Sequence, residues 1–453
     1  MSPAPGPAAG LLDPPRPPAP ASASASAPAG GVLSTADLHA SLTDPALTSM
    51  TLLNEVTGRY PQAVSFAAGR PFEGGYEVAA LHRHLETYTR HLAGQGLDPD
   101  QVTRALFQYG HTKGIINDLI ARHLAVDEQL TVDPASVVVT TGCQEAMVLV
   151  LRALRRDPRD VVFAAAPTYV GFTGAARLVE MPVRLVREGP GGLDPDDLED
   201  QIRRARAAGL NPRACYVIPD FANPGGAAMP VADRERLLRI AERENILLLE
   251  DNPYSMFHDG VPRRPTLKSL DRGARVVYFG SFAKTAFPGA RIGYVIADQP
   301  VREGGVLADQ LAKLKSMLTL NTSSVAQAAI GGLLLEHGCS MERASAPAAE
   351  VYRRNRHALL DGLARRFGDP AHGVRWNTPA GGLFAVVTVP FRADDAALDD
   401  SARRFGVLWT PMHHFYAGTG GTEQLRLSFS VLTPAEIDTG LDRLAAFVAD
   451  RTH

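Results

Sequence analysis

Lysine is nearly missing from this chain: five residues, Lys113, Lys268, Lys284, Lys313 and Lys315, stand against 41 arginines. Arginine serves wherever a permanent positive charge suffices, because its guanidinium stays protonated, so a retained lysine asks for a chemical reason. Cysteine is also scarce. Cys143, Cys215 and Cys339 are scattered without C-x-x-C spacing, which argues against a disulfide framework or structural zinc, implies no metal, and fits a reducing cytoplasm. No apolar run approaches the roughly 18 residues that cross a bilayer, and a formal net charge of -3 offers no basic footprint for nucleic acid. What remains is a soluble globular chain of 453 residues, 45% hydrophobic, long enough for a large core and two domains.

The first 45 residues are rich in Pro, Ala and Ser and hold too few large apolar groups to offset the entropy of ordering them. They read as a disordered tail, without the pattern of a secretory signal and too short for a folded DNA-binding module.

From about residue 100 to 300, helical patterns alternate with short apolar runs: SVVVTTG, VVFAAAP, ACYVIPD, ILLLED, RVVYFGS and RIGYVIA. Val, Ile and Leu that do not alternate with polar residues suit strands covered on both faces, and the intervening lengths suit crossover helices. The expectation is an α/β fold with a mostly parallel, doubly wound sheet. After it, residues 306–338 read as one long helix. The strand pieces GLFAVVTVP and QLRLSFS, then a helix from about Pro434, give a smaller α+β domain.

In such sheets the site lies at the carboxyl ends of the strands. There, Gly142, Cys143 and Gln144 open a helix whose free N–H groups could hold a phosphate, or are an ordinary strand-to-helix turn. NILLLEDNPY ends in Glu250 and Asp251 with Tyr254 beyond; a carboxylate there faces a cation or caps a turn. Asn223 precedes Pro224, a common turn start, and Tyr169 is either a core aromatic or a plate for a flat ring. Lys284 stands between two buried strands, three residues after Ser281 and seven before Arg291.

That Ser281-x-x-Lys284 segment with Arg291, set beside EDNPY and NPGG, resembles the fold type I pyridoxal-phosphate enzymes of the class I/II aminotransferase family, over roughly residues 50 to 450. The resemblance implies an aspartate aminotransferase-like fold with an N-terminal arm of the active site (46–75), a large cofactor domain (76–325) and a small domain (326–453). It assigns Lys284 to covalent attachment of pyridoxal 5'-phosphate and to proton transfer, and Asp251 to the pyridinium nitrogen. Tyr169 would stack on the ring and join Lys284 and Asp251 as catalytic. Asn223 and Tyr254 would bond the 3-oxygen, and Ser281, Arg291 and the backbone of Gly142, Cys143 and Gln144 the phosphate. Arg426, helped by Gly69 and Asn223, would hold the substrate carboxylate, and Tyr109 would reach the phosphate of the neighbouring subunit in a homodimer.

Two departures stand out: the family usually has Ser where Cys143 stands and often Ser where Ala283 stands. Met412, His413 and His414 are unusual in their segment, and His111 is ambiguous. RYPQAVSFAAGRPFEGG resembles an actinobacterial subgroup from secondary metabolism, similar to enzymes that make or use unusual amino acids such as arylglycines. The resemblance therefore implies a cytoplasmic transaminase of natural-product, including antibiotic, biosynthesis, exchanging an α-amino acid with a 2-oxo acid without nucleic acid or membrane partners. β-Elimination, decarboxylation or oxygen-dependent oxidative deamination on the same fold is the alternative. A transcription factor built on this fold would need a helix-turn-helix domain for which the tail has no room.

Overall fold

The computed structural model describes residues 33–44, 47, 49, 55–189, 191–260, 262–416 and 418–452. The chain divides into two units, Met1–Leu42 and Thr43–His453. Most of the expected disordered tail lies outside the described residues; Ser34 caps the 3-10 turn Thr35–Asp37, a second turn spans Ala40–Thr43, and neither holds a buried side chain.

The second unit is built on an eight-stranded sheet. Its strands are β1 (Val137–Thr141), β2 (Asp160–Ala166), β3 (Val183–Gly189), β4 (Gly192–Leu193), β5 (Asn211–Val217), β6 (Leu247–Asp251), β7 (Val276–Ser281) and β8 (Ile292–Ile296). They lie in the order β1-β8-β7-β6-β5-β2-β3-β4. Strands β3, β2, β5, β6 and β7 run parallel, while β8 is antiparallel to both of its neighbours. All six apolar runs identified in the sequence are strands of this sheet.

Their lack of polar alternation follows from helices packed on both faces. In β2, Val162 and Ala164 enter one core with Val150 and Phe172, while Val161 and Phe163 enter the other with Leu198 and Leu237. Strand β3 was not anticipated because it carries Arg184, Arg187 and Glu188, and near the sheet edge only its Val186 is fully buried.

The segment expected as one long helix is two, Leu307–Leu318 and Ser324–Glu336. Leu320 takes a left-handed conformation at φ 64° between them. Ser323 then restarts the chain as an N-cap, its hydroxyl accepting from Ala326 N at 3.3 Å.

A second, antiparallel sheet comprises β9 (Arg375–Trp376), β10 (Phe384–Thr388), β11 (Thr410–Pro411) and β12 (Gln424–Ser428), in the order β9-β10-β12-β11. The expected strand pieces and the helix Pro434–Thr452 are present. The arm before residue 75 threads into this region: Val64–Ser65 pairs in parallel with Val407–Leu408, and Ser428 N donates to Phe66 O at 2.7 Å. Among the described residues no helix is long and apolar enough to cross a membrane.

Where β8 passes the start of helix Gly142–Leu154, only glycine fits. A Cβ on Gly293 would lie 2.7 Å from Cys143 N and 2.8 Å from the carbonyl carbon of Gly142. Both contacts are backbone, which cannot rotate away. Gly293→Ala is expected to destabilise the protein by about 1–3 kcal/mol through overpacking and to lower its cofactor content disproportionately. Urea unfolding and cofactor absorbance on the same preparation check both effects.

Candidate active site

Twelve of the candidate site residues named from the sequence line one cavity of about 220 Å³. Gly69 enters from the arm, Gly142, Cys143 and Gln144 from the helix after β1, and Tyr169 from beyond β2. Asn223 follows β5, Asp251 ends β6 with Tyr254 just after it, Ser281, Lys284 and Arg291 flank the β7–β8 connection, and Arg426 comes from β12. Tyr109 is not among them: it is 82% exposed. His111, His413 and His414 also lie outside the lining.

Lys284 projects from the turn that follows β7, and its Nζ donates to Gly69 O at 2.7 Å. Burial, then the like charges of Arg426 and Arg291, lower its pKa to about 8. An amine so placed sheds its proton near neutral pH and can act as a nucleophile.

Asp251 carries the opposite charge into the same space. Its carboxyl is pushed up to about 6 by burial, partly offset by a hydrogen bond from Tyr216 OH to Oδ2 at 2.6 Å. Tyr216 escaped the sequence reading, sitting inside an apolar run. Register explains the contact: Tyr216 pairs with Leu249, and Asp251, two residues further on, leaves the same face. Tyr216 is held in turn by parallel stacking on Phe172, with ring centres 4.0 Å apart.

Between these groups and the helix start lies an anion seat. Gly142 has φ 70° and opens the 13-residue helix Gly142–Leu154, whose first N–H groups point outward with the positive end of the helix dipole. The guanidinium of Arg291 packs against Gly142 so closely that a Cβ there would collide with it. Arg291 itself adopts φ 51°, a strained conformation for a residue with a side chain and one that concentrates at functional sites. Cys143 turns its sulfur away, donating to Gly280 O at 3.1 Å. The first turn of the helix thus offers its backbone donors without a side-chain hydroxyl from this position.

Arg426 is 4% exposed and sits between Phe384 and Phe415, with its guanidinium carbon 4.2 and 4.8 Å from their ring centres. It donates to Asn223 Oδ1 at 2.6 Å and Ala67 O at 3.0 Å, but its buried Nε has no partner. Burial lowers its pKa to about 10. A buried guanidinium with an unmet donor suits a carboxylate ligand. Burial also raises the phenols of Tyr169 and Tyr254 well above their ordinary range, keeping both as neutral hydrogen-bond groups. Phe384, Phe415, Met147 and Ile218 complete the walls. None carried a signal in the sequence, because apolar wall residues look like any other core residues.

A buried carboxylate facing one end of a cavity, an anion seat at the other and a lysine of lowered pKa between them fit a flat, phosphorylated, basic aldehyde.

The matching family, Aminotransferase class I and II, spans residues 90–444. Among similar proteins, an (S)-3,5-dihydroxyphenylglycine transaminase of Amycolatopsis orientalis is 55% identical over 420 residues, covering 92% of this chain and 95% of the relative. The structure of a Thermus thermophilus α-aminoadipate aminotransferase complexed with N-(5'-phosphopyridoxyl)-L-leucine is 30% identical, with a TM-score of 0.73 over 90% of this chain and 97% of that one. An archaeal alanine:glyoxylate aminotransferase structure is 25% identical, with a TM-score of 0.79 over 92% and 99% of the two chains.

The Asp251 carboxyl yields a pH prediction for the cofactor-free protein. Its folded pKa lies above the unfolded value near ~3.9, so the folded state holds a proton that the unfolded state releases. Stability from this group is full below pH ~4 and is lost as pH rises through about 6, on the order of 2–3 kcal/mol in all. Tyr216→Phe removes a donor to the carboxylate and should move that loss to higher pH, while Asp251→Asn should abolish it. Urea unfolding between pH 4 and 8 on the three proteins, compared by difference, checks the sign.

Proposed function

This chain belongs to the class I and II aminotransferase family and is a pyridoxal-phosphate-dependent transaminase of fold type I, and from that premise we propose that its amino donor is an arylglycine-type α-amino acid used in natural-product biosynthesis. The likeness to the dihydroxyphenylglycine transaminase carries this reading. A second cavity of about 580 Å³ supports it: Lys284 lines this space too, and Phe72, Tyr76, Leu81, Phe287 and Pro288 give it walls suited to an aromatic ring.

The cofactor, when bound, supplies an aldehyde that takes up the amino group and a ring that accepts the electrons released at the substrate α-carbon. In the proposed roles, Lys284 Nζ would hold the aldehyde covalently until the substrate's amino group displaces it, and the freed amine would then move the proton of the substrate α-carbon. Asp251 holds a proton at the ring nitrogen, with Tyr216 orienting its carboxylate. The helix start at Gly142, Cys143 and Gln144, with Ser281 and Arg291, binds the phosphate. Tyr169 covers the ring face, and Asn223 and Tyr254 bind its 3-oxygen. Arg426 fixes the substrate carboxylate, helped by Gly69 and Asn223, so that the Cα–H bond is the one presented to Lys284. The same reading keeps the arm 46–75, the large part 76–325 and the small part 326–453 as working divisions.

Borohydride treatment of the holoenzyme is expected to fix the cofactor on the peptide containing Lys284, and Lys284→Ala to lose both label and turnover; labelling of another lysine would reassign the nucleophile. Mixed anaerobically with donor and no acceptor, the enzyme should release one 2-oxo acid per site and then stop. 3,5-Dihydroxyphenylglycine and phenylglycine should surpass leucine and aspartate in kcat/KM by at least about tenfold, or about 1.4 kcal/mol of transition-state binding. Equal rates across the panel would remove the arylglycine assignment.

We further infer a cytoplasmic homodimer. Tyr109 and Phe107 are exposed, as are Met317, Leu318, Leu320 and Val325, and the two segments adjoin where Gly110 approaches Ser324 and Asn321. An apolar patch of this kind marks an interface, and it would carry Tyr109 toward a neighbouring phosphate seat. Met317→Glu combined with Leu320→Glu should yield monomers by light scattering and weaken cofactor retention, whereas Tyr109→Phe should weaken retention in an intact dimer. A monomeric wild type at micromolar concentration would refute this assembly.

A further inference from the structure

The turn Met412–Phe415 has two sides. Phe415 faces the cavity over Arg426, and its carbonyl accepts from Thr168 N at 2.9 Å. His413 and His414 instead meet Asp395, the first residue of helix Asp395–Asp400. His414 Nε2 lies 2.7 Å and His413 Nε2 3.7 Å from the same oxygen, Asp395 Oδ1. The imidazole centres are 4.1 Å apart at an angle of 35°. One ligand atom from each residue lies within 4.8 Å of the others. Consecutive histidines with no shared task would diverge into solvent; here both converge on one carboxylate.

We propose that Asp395, His413 and His414 form a binding site for a divalent transition metal of the zinc or copper class, with solvent completing the coordination. Two imidazoles and one carboxylate suit zinc, copper or nickel rather than magnesium or calcium, and three protein ligands leave an open position. Donors ~2.1 Å from a tetrahedral ion stand about 3.4 Å apart; the two separations to Asp395, 2.7 and 3.7 Å, lie within 1 Å of that, and the two imidazoles' ligand atoms lie within 4.8 Å of each other.

The group behind the ligands fits as well. Ser49 Oγ lies 2.7 Å from His414 Nδ1; in the tautomer whose Nδ1–H donates to that oxygen, Nε2 keeps its lone pair and can bind a metal. Without a metal, Nε2 and Asp395 Oδ1 share a proton at 2.7 Å; a bound divalent ion would take that proton's place. Asp394 is otherwise engaged, pairing with Arg392 at 2.8 Å and capping Ala397 N at 3.0 Å. The Asp395 side chain is 56% exposed, which leaves an entry path.

The test uses tag-free holoenzyme stripped with a chelator and titrated with Zn²⁺ by calorimetry. One ion per chain is expected, with affinity weakened at least about tenfold in Asp395→Asn and His413→Ala and about tenfold in Ser49→Ala, while cofactor absorbance is unchanged. Copper-loaded wild type should show nitrogen hyperfine structure in its electron paramagnetic resonance spectrum, a readout that does not depend on any variant folding. Absence of saturable Zn²⁺ binding, equal affinity in the ligand variants, or a copper spectrum without nitrogen coupling would overturn the site.

Discussion

Two arginines share the space around one lysine. Arg426 and Arg291 each repel a proton from Lys284, and burial multiplies that repulsion because little water is present to screen it. The protein holds this arrangement because each cation has something else to do: Arg291 closes over the helix start at Gly142, Arg426 is pinned by Asn223 and Ala67, and the amine leans on Gly69 O. The lowered pKa of the amine thus follows first from its burial and then from the two guanidinium groups held beside it. Asp251 supplies the opposing charge, its pKa raised to about 6 by the same burial.

The central sheet was legible because its strands are covered on both sides and spell themselves out as unbroken apolar runs. β3 was not, since near the sheet edge charged residues are tolerated and the apolar signal thins. The break between Leu318 and Ser324 was hidden for another reason. Leu320 is an ordinary helix former, and its left-handed conformation follows from tertiary placement rather than local preference.

The polar residues of the site could be found because chemistry sits at and just beyond the ends of apolar runs: Asp251 and Ser281 end strands, and Lys284 and Asn223 follow within three and six residues. Tyr216 could not be found that way. Its hydroxyl is used at a point inside a strand, and only the pairing of β5 with β6 brings it to the carboxylate. Phe384 and Phe415, which flank the Arg426 guanidinium, are silent for a similar cause: a wall residue and a core residue bury the same surface. The histidine pair was visible as an oddity, and its partner Asp395 was not, because nothing in a linear reading joins positions 395 and 413.

The arm pairing gives the site a temporal character. Ala67 O receives Arg426 across 359 positions of sequence and Thr410 across 343, and Val64–Ser65 finds its strand partner only at Val407–Leu408. Contacts so distant in sequence close late, after the loop entropy between them has been overcome by everything else that packs. A chain emerging from the ribosome can therefore assemble its central sheet, and with it Lys284 and the helix start at Gly142, well before Arg426 is in place.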